Sequence, residues 1–256
     1  GKPLYDMLPS LDEKEIISNI LWNLWEKKMR EFDLLSNYPV LKKRYVSKNS
    51  RTIKSRIIAS YKDKEFYDGK RENGYGGYKY DGRWKIIAKK IFKFYELKSN
   101  AKILQIGCDK GFLLNDIKKI FPRSKIKGTE VSDYAIKKSK IKIRKYIKKG
   151  QFYNLPFKKN EFDFVIAIGP VYSLSLSESI KCLKEINRVG KGKSFITLGS
   201  YNNEKDLRLF RYWTLLGTTI LKKKEWIEVL KHTKYSGDYK FNNAKSLNLE
   251  EKKWEK

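Results

Sequence analysis

Histidine is nearly missing from this chain, and that absence removes several kinds of chemistry at once. His232 stands alone, which rules out a cluster of imidazole metal ligands and leaves little scope for histidine acid–base work. Cysteine is almost as scarce. Cys108 and Cys182 lie far apart in a sequence without a secretory signal pattern, so both are expected as free thiols. No apolar run approaches the roughly 18 residues of a spanning helix, and the chain reads as soluble, cytoplasmic and without membrane insertion. Acids are outnumbered: 29 Asp and Glu face 58 Lys and Arg, for a net charge of +29. Such an excess attracts phosphates and keeps a nucleic-acid partner possible. Yet only 11 of the 58 are arginine, and the lysines are spread from Lys42 to Lys223. Recognition surfaces favour the bidentate guanidinium, so the charge reads first as compositional.

What is present is a regular alternation of elements over a length that suits one α/β domain with an appendage. Residues 1–70 read as an N-terminal helical arm. Ser10-Leu11-Asp12-Glu13 is a capping box, and Ile17, Ile20, Leu21, Leu24, Trp25, Phe32 and Leu35 recur at helical spacing behind it. A second helix is expected over Asn49–Tyr61, built on Ile53, Ile57 and Ile58. The arm is expected to pack on the main domain or to join two copies as a homodimer. Residues 71–245 form the main domain, and residues 246–256 a tail frayed at its end.

The main domain opens on an unusual loop, Arg71 to Trp84. Gly74, Gly76, Gly77 and Gly82 alternate there with Tyr75, Tyr78 and Tyr80, whose flat faces carry hydroxyl tips. Arg71 and Arg83 are placed to clamp a phosphate or carboxylate. A flap over a ligand and a structural loop pinned by Trp84 both fit this composition. From Trp84 onward, strands at Lys102–Ile106, Lys125–Thr129, Tyr146–Gln151, Phe162–Ile168, Ser194–Leu198 and Asp238–Asn242 alternate with helices. That order implies a parallel, doubly wound, Rossmann-like sheet covered on both faces.

Lys102 to Glu130 carries the most information. An apolar strand enters the turn Gly107-Cys108-Asp109-Lys110-Gly111, a helix follows, and the next strand ends on Glu130, 23 positions after Gly107. The glycines let a ligand approach the backbone, and the terminal carboxylate suits a ribose diol. Asp109 stands where a dinucleotide fingerprint has its middle glycine. A carboxylate there opposes a pyrophosphate but tolerates a cationic ligand, which favours S-adenosylmethionine over NAD.

With these segments in order, the chain resembles the class I S-adenosylmethionine-dependent methyltransferases, in particular the methyltransferase-11/25-like small-molecule group. Ile103 to Gly111, Gly128 to Ile136, Asn154 to Ile166 and Leu183 to Val189 carry the resemblance, which extends over roughly Trp84 to Phe241. The Gly74 loop and Ser236-Gly237-Asp238-Tyr239 also resemble a subgroup that modifies bacterial surface sugars or capsule. The resemblance implies a seven-stranded sheet and S-adenosylmethionine as cofactor. It places Gly107, Cys108, Asp109 and Gly111 against the methionine and ribose, with Glu130 and Val131 at the ribose hydroxyls. Gln151 and Phe152 fall at the adenine, Gln105 near the methionine amine, and Ile168 and Gly169 at the sulfonium.

Tyr172, at a position often held by histidine in relatives, is the candidate catalytic or acceptor-positioning residue. Tyr78, Tyr80 and Arg83 are candidate substrate contacts, and no metal is expected. The leading acceptor is a small polar molecule such as a sugar, a nucleotide-linked sugar or another glycan precursor. RNA methylation remains an alternative, as does a degenerate scaffold, since Gln105 and Gln151 replace acids usual in the family. Glu130→Ala is expected to weaken cofactor binding by one to two decades, on the order of 1.5–3 kcal/mol, with the fold intact.

Overall fold

The computed structural model describes residues 15–17 and 29–253. The strands of its main sheet run in the order β5 (Ile147–Lys149), β4 (Lys125–Glu130), β3 (Lys102–Ile106), β6 (Phe164–Ala167), β7 (Ser194–Tyr201), β9 (Asp238–Asn242) and β1 (Arg30–Glu31). A short β8 (Leu221–Lys222) pairs with the end of β7, making eight strands in all. Every pairing is parallel. Parallel neighbours need crossovers, and helices supply them on both faces. From β3 the chain winds outward through β4 and β5, then returns to β6 and winds the other way. The switch therefore falls between the carboxyl ends of β3 and β6, where open α/β sheets bind ligands.

The central strands form because they are apolar on both sides, as β6 shows with all four residues buried. Leu104, Ile106, Val165 and Ile196 face one layer with Leu183, Ile186 and Trp226. Ile103, Phe164, Ile166 and Phe195 face the other, with Ile87, Ile91, Leu113 and Ile117. The helices carrying those partners are α3 (Lys85–Phe94), α4 (Phe112–Ile120), α8 (Leu176–Val189) and α10 (Lys223–His232). Side-chain caps fix several starts: Ser132 accepts from the Ala135 N–H, and Ser175 with Glu178 closes a capping box. Among the described residues no helix is long and apolar enough to cross a membrane.

The N-terminal arm departs most from the sequence expectation. Its capping box lies outside the described residues, and of the helix expected behind it only residues 15–17 are described, as helix. Phe32 and Leu35 belong to no helix; they follow β1 in a turn, where Phe32 stacks on Phe94 at 4.0 Å. The second helix is present as α1 (Ile53–Ser60), but its buried residues are Ser55 and Ala59, while Ile53 and Ile57 face solvent. A short α2 (Lys64–Asp68), capped by Asp63, follows. The tail also differs. Leu249–Glu251 forms β10, which pairs in parallel with β2 (Arg44–Val46), and Leu249 packs with Val46 and Leu209. Arm and tail thus close on each other through backbone hydrogen bonds that no side-chain pattern announces.

Candidate active site

The turn after β3 is shaped by three positive-φ residues, Gly107 (+65°), Asp109 (+50°) and Gly111 (+69°). A Cβ on Gly107 would come within 2.4 Å of Pro170 Cγ, so glycine is required both for conformation and for space. The Gly107 and Cys108 N–H groups donate to the Thr129 carbonyl at 2.9 and 3.1 Å, which stitches the turn to β4. The Asp109 N–H donates to Glu130 Oε2 at 2.8 Å.

Glu130 therefore acts differently from the free carboxylate that its sequence position suggests. It is fully buried, and its Oε1 also accepts from the Val131 and Ser132 N–H groups at 2.9 and 3.0 Å. Lys62, between α1 and α2, covers the same oxygen with its ammonium at 3.4 Å and sits 5.4 Å from the Phe152 ring. Glu130 is the organiser of the turn, with Lys62 over it. A ribose reaches it only where Lys62 yields.

Above the turn lies an aromatic layer. Tyr67, Tyr75, Tyr78 and Phe112 stack in succession at 5.8, 4.4 and 4.7 Å between centroids. Tyr67 and Tyr75 donate to the two oxygens of Asp109 at 2.9 and 3.2 Å. The buried Lys110 pairs with Asp68 at 2.7 Å and donates to the Tyr78 carbonyl, and Tyr134 adds a bond to Asp68. These contacts strap the glycine–tyrosine loop onto the turn.

Between turn, loop and the segment 213–217 lies a cavity of about 540 Å³. Of the residues singled out from sequence, Gly107, Asp109, Phe152, Ile168, Gly169, Tyr172, Tyr78 and Arg83 line it. Others do not. Gln105 is buried within β3, Cys108 packs into the core, and Gly111 and Val131 contribute backbone to the turn. Gln151 faces solvent. Tyr80 turns away, its hydroxyl on Asp116 and its ring between Lys119 and Lys140. Arg83 lines the cavity but is already paired with Asp81 through Nε and Nη2, so it is no free clamp.

Burial raises the pKa of Tyr172, with Asn242 opposing the shift. A neutral phenol there can donate a hydrogen bond and does not act as a base. Lys62, Tyr67, Arg44, Arg51 and the 213–217 segment were not legible as site residues. Only the Asp63 cap before Lys64 hinted that α2 begins there.

The cavity fits a cationic, amine-bearing ligand on one observation, the Asp109 carboxylate in its lining. Asp109 carries a pKa raised to about 6, first by burial and then by the neighbouring Glu130 charge. A cation beside it relieves both effects. Asp109 would hold the ammonium of S-adenosylmethionine, with Phe152 and Ile168 as apolar walls, whereas Gln105 lies within β3 and does not line the cavity.

The methyltransferase-domain family matches residues 97–253, and the chain belongs to it. The chain spans no more than about two thirds of the length of the first solved structures it matches, 66% and 41% for the first two. None of the curated proteins matches the chain. Among solved structures it is similar to the YcgJ protein of Bacillus subtilis, with 16% identity and a TM-score of 0.48 over 57% of this chain and 66% of that one. It is also similar to a SAM-dependent methyltransferase of Aquifex aeolicus, at 18% identity and a TM-score of 0.42 over 71% and 88% of the two chains. The Rickettsia typhi protein PKMT2, solved with AdoHcy, shares 26% identity at a TM-score of 0.34 over 37% of this chain and 20% of that one.

Proposed function

We propose that the chain is an S-adenosylmethionine-dependent methyltransferase that acts on a small polar acceptor, with a sugar, a nucleotide-linked sugar or another glycan precursor as the leading class. The observation that carries the reading is the cavity itself. Its volume of about 540 Å³ falls in the small-molecule range, and it is walled by Tyr75, Tyr78, Trp84 and Trp213. Aromatic faces pack on sugar rings while hydroxyls and backbone groups meet their edges.

When bound, S-adenosylmethionine supplies an electrophilic methyl that leaves the sulfonium by in-line displacement. The chain's own part is alignment. Asp109 offers the counter-charge for the ammonium, and Phe152 and Ile168 keep water from the reacting atoms. Tyr172, buried at the cavity wall, orients the acceptor. The strapped glycine–tyrosine loop roofs the acceptor side.

The test is a screen of nucleotide sugars, free sugars and RNA for uptake of labelled methyl from S-adenosylmethionine, beside calorimetry with S-adenosylhomocysteine. Methylation of a sugar-bearing compound is expected. Exclusive labelling of RNA would replace the reading with the alternative, and absence of S-adenosylhomocysteine binding would return the chain to a scaffold.

A further inference from the structure

Arginine is the rare basic residue of this chain, 11 of 58, yet Arg44, Arg51, Arg71 and Arg83 all line the one cavity. Of the far more numerous lysines only Lys62 and Lys79 do so. A compositional drift toward lysine does not produce that concentration. Arg83 is neutralised by Asp81. For Arg44, Arg51 and Arg71, no carboxylate among the described residues forms an ion pair.

The geometry gathers these guanidiniums deliberately. Arg51 donates through Nε to the Trp213 carbonyl at 3.1 Å and through Nη1 to the Arg71 and Glu72 carbonyls at 2.7 and 2.8 Å. Arg44 lies 6.0 Å above the Trp213 ring. Burial lowers the pKa of Arg51 to about 10, and the charges of Arg71 and Arg56 add to the effect. Arg44 is lowered by burial and then by Arg71. Like charges held together in partial burial are unfavourable unless an anion joins them.

We propose that Arg44, Arg51 and Arg71 receive a phosphate or pyrophosphate group of the acceptor, so that the substrate is a phosphorylated small molecule and not a neutral sugar. The inference rests on the cavity being the acceptor pocket of the methyltransferase. Three uncompensated charges suit a phosphate, with its charge near −2, better than a single carboxylate, and the guanidinium fork matches its oxygens. The phosphate positions the acceptor and takes no part in methyl transfer. A nucleotide-linked sugar meets both requirements of the pocket, rings for the aromatic wall and a pyrophosphate for the arginines.

The experiment is calorimetry on the full chain with inorganic pyrophosphate, malonate, a short RNA and S-adenosylhomocysteine as separate probes. Arg44→Gln/Arg71→Gln removes two of the guanidiniums; because Arg71 Nη1 also donates to the Gly74 carbonyl and Arg44 lies over Trp213, its thermal unfolding is checked against wild type. Lys137→Gln/Lys142→Gln removes the same charge away from the cavity. Pyrophosphate is expected to bind wild type and the lysine variant alike and the arginine variant on the order of a hundredfold more weakly, about tenfold per guanidinium. S-adenosylhomocysteine is expected to bind all three equally.

No pyrophosphate binding, or an equal loss in the lysine variant, overturns the proposal. Malonate binding as tightly as pyrophosphate reassigns the subsite to carboxylates and overturns it too. RNA that depends on the arginines while pyrophosphate fails to compete assigns the wall to a polymer instead. Failure of S-adenosylhomocysteine to bind wild type strikes the methyl-donor reading alone, because the pyrophosphate arm is read independently.

Discussion

Replacing Glu130 by glutamine isolates what this carboxylate does. Its Oε2 accepts the Asp109 N–H, and its Oε1 accepts from Val131, Ser132 and the Lys62 ammonium. In Glu130→Gln the amide oxygen keeps the Val131 and Ser132 bonds, and the amide NH2 then points at the Asp109 N–H, donor against donor. The turn loses a bond to a charged acceptor, about 1.5–3 kcal/mol. Lys62, whose side chain is 19% exposed, swings toward water and adds less than about 1 kcal/mol.

The expected loss is therefore about 2–4 kcal/mol in urea unfolding at pH 7.5, or roughly 5–15 °C in Tm for a chain of this size. The fold is not left intact in the sense that sequence position implies, because Glu130 already accepts from the Asp109, Val131 and Ser132 N–H groups of the turn. Glu130→Gln also removes one of the charges that hold Asp109 high, so the Asp109 pKa falls. A stability within about 0.5 kcal/mol of wild type would refute the claim that Glu130 organises the turn.

Asp109 makes the site pH-sensitive. Its folded value of about 6 exceeds the ordinary 3.8, so its stabilising contribution is complete below pH 3.8 and disappears as pH rises through 6. Between pH 5 and 7.5 wild type should lose about 1 kcal/mol relative to Asp109→Asn in urea unfolding; no change in that difference contradicts the titration. An ammonium group beside Asp109 favours the ionised form, so the affinity of S-adenosylhomocysteine, which carries one, should fall as pH drops below 6, at most tenfold per unit. Tyr67→Phe deletes a buried donor to Asp109 and should cost about 1–2 kcal/mol while moving that affinity midpoint upward, which calorimetry across pH reads directly. Gly107→Ala meets both a φ of +65° and Pro170 Cγ, and about 2–4 kcal/mol of destabilisation with loss of S-adenosylhomocysteine binding is expected. Wild-type binding by that variant would show that the turn tolerates rearrangement.

The central sheet was readable because its strands are buried on both faces, which writes apolar runs such as Phe162–Ile168 directly into the sequence. The turn was readable because positive φ selects glycine. Strands of two or three residues, β1, β2, β8 and β10, carry no period, and their pairing is decided by distant backbone groups. The same limit hid half of the site. Lys62 reaches Glu130 only because it adopts φ +47° between α1 and α2, a feature its residue type does not signal. Tyr78 and Tyr80 look equivalent in the loop and both rings meet Phe112, yet only Tyr78 lines the cavity, while the Tyr80 hydroxyl is drawn away to Asp116. Arg44 and Arg51 were lost in a lysine-rich background until the fold showed where the few arginines gather.

That division of the site explains how one chain can combine a widely shared reaction with its own acceptor. The family match begins at Leu97, whereas more than half of the residues lining the cavity precede it, from Tyr38 to Trp84. Gly107, Asp109, Ile168 and Gly169 sit on the shared sheet, at the ends of β3 and β6. The lining residues proposed for the acceptor sit on the arm and the glycine–tyrosine loop, which are free to differ without disturbing the sheet. The two halves are nevertheless coupled physically. Lys110 leaves the turn to hold Asp68, and Asp109 is shared by Tyr67 and Tyr75 of the roof. A ligand cation that draws on Asp109 competes with those two hydroxyls, so donor binding changes what holds the roof over the acceptor.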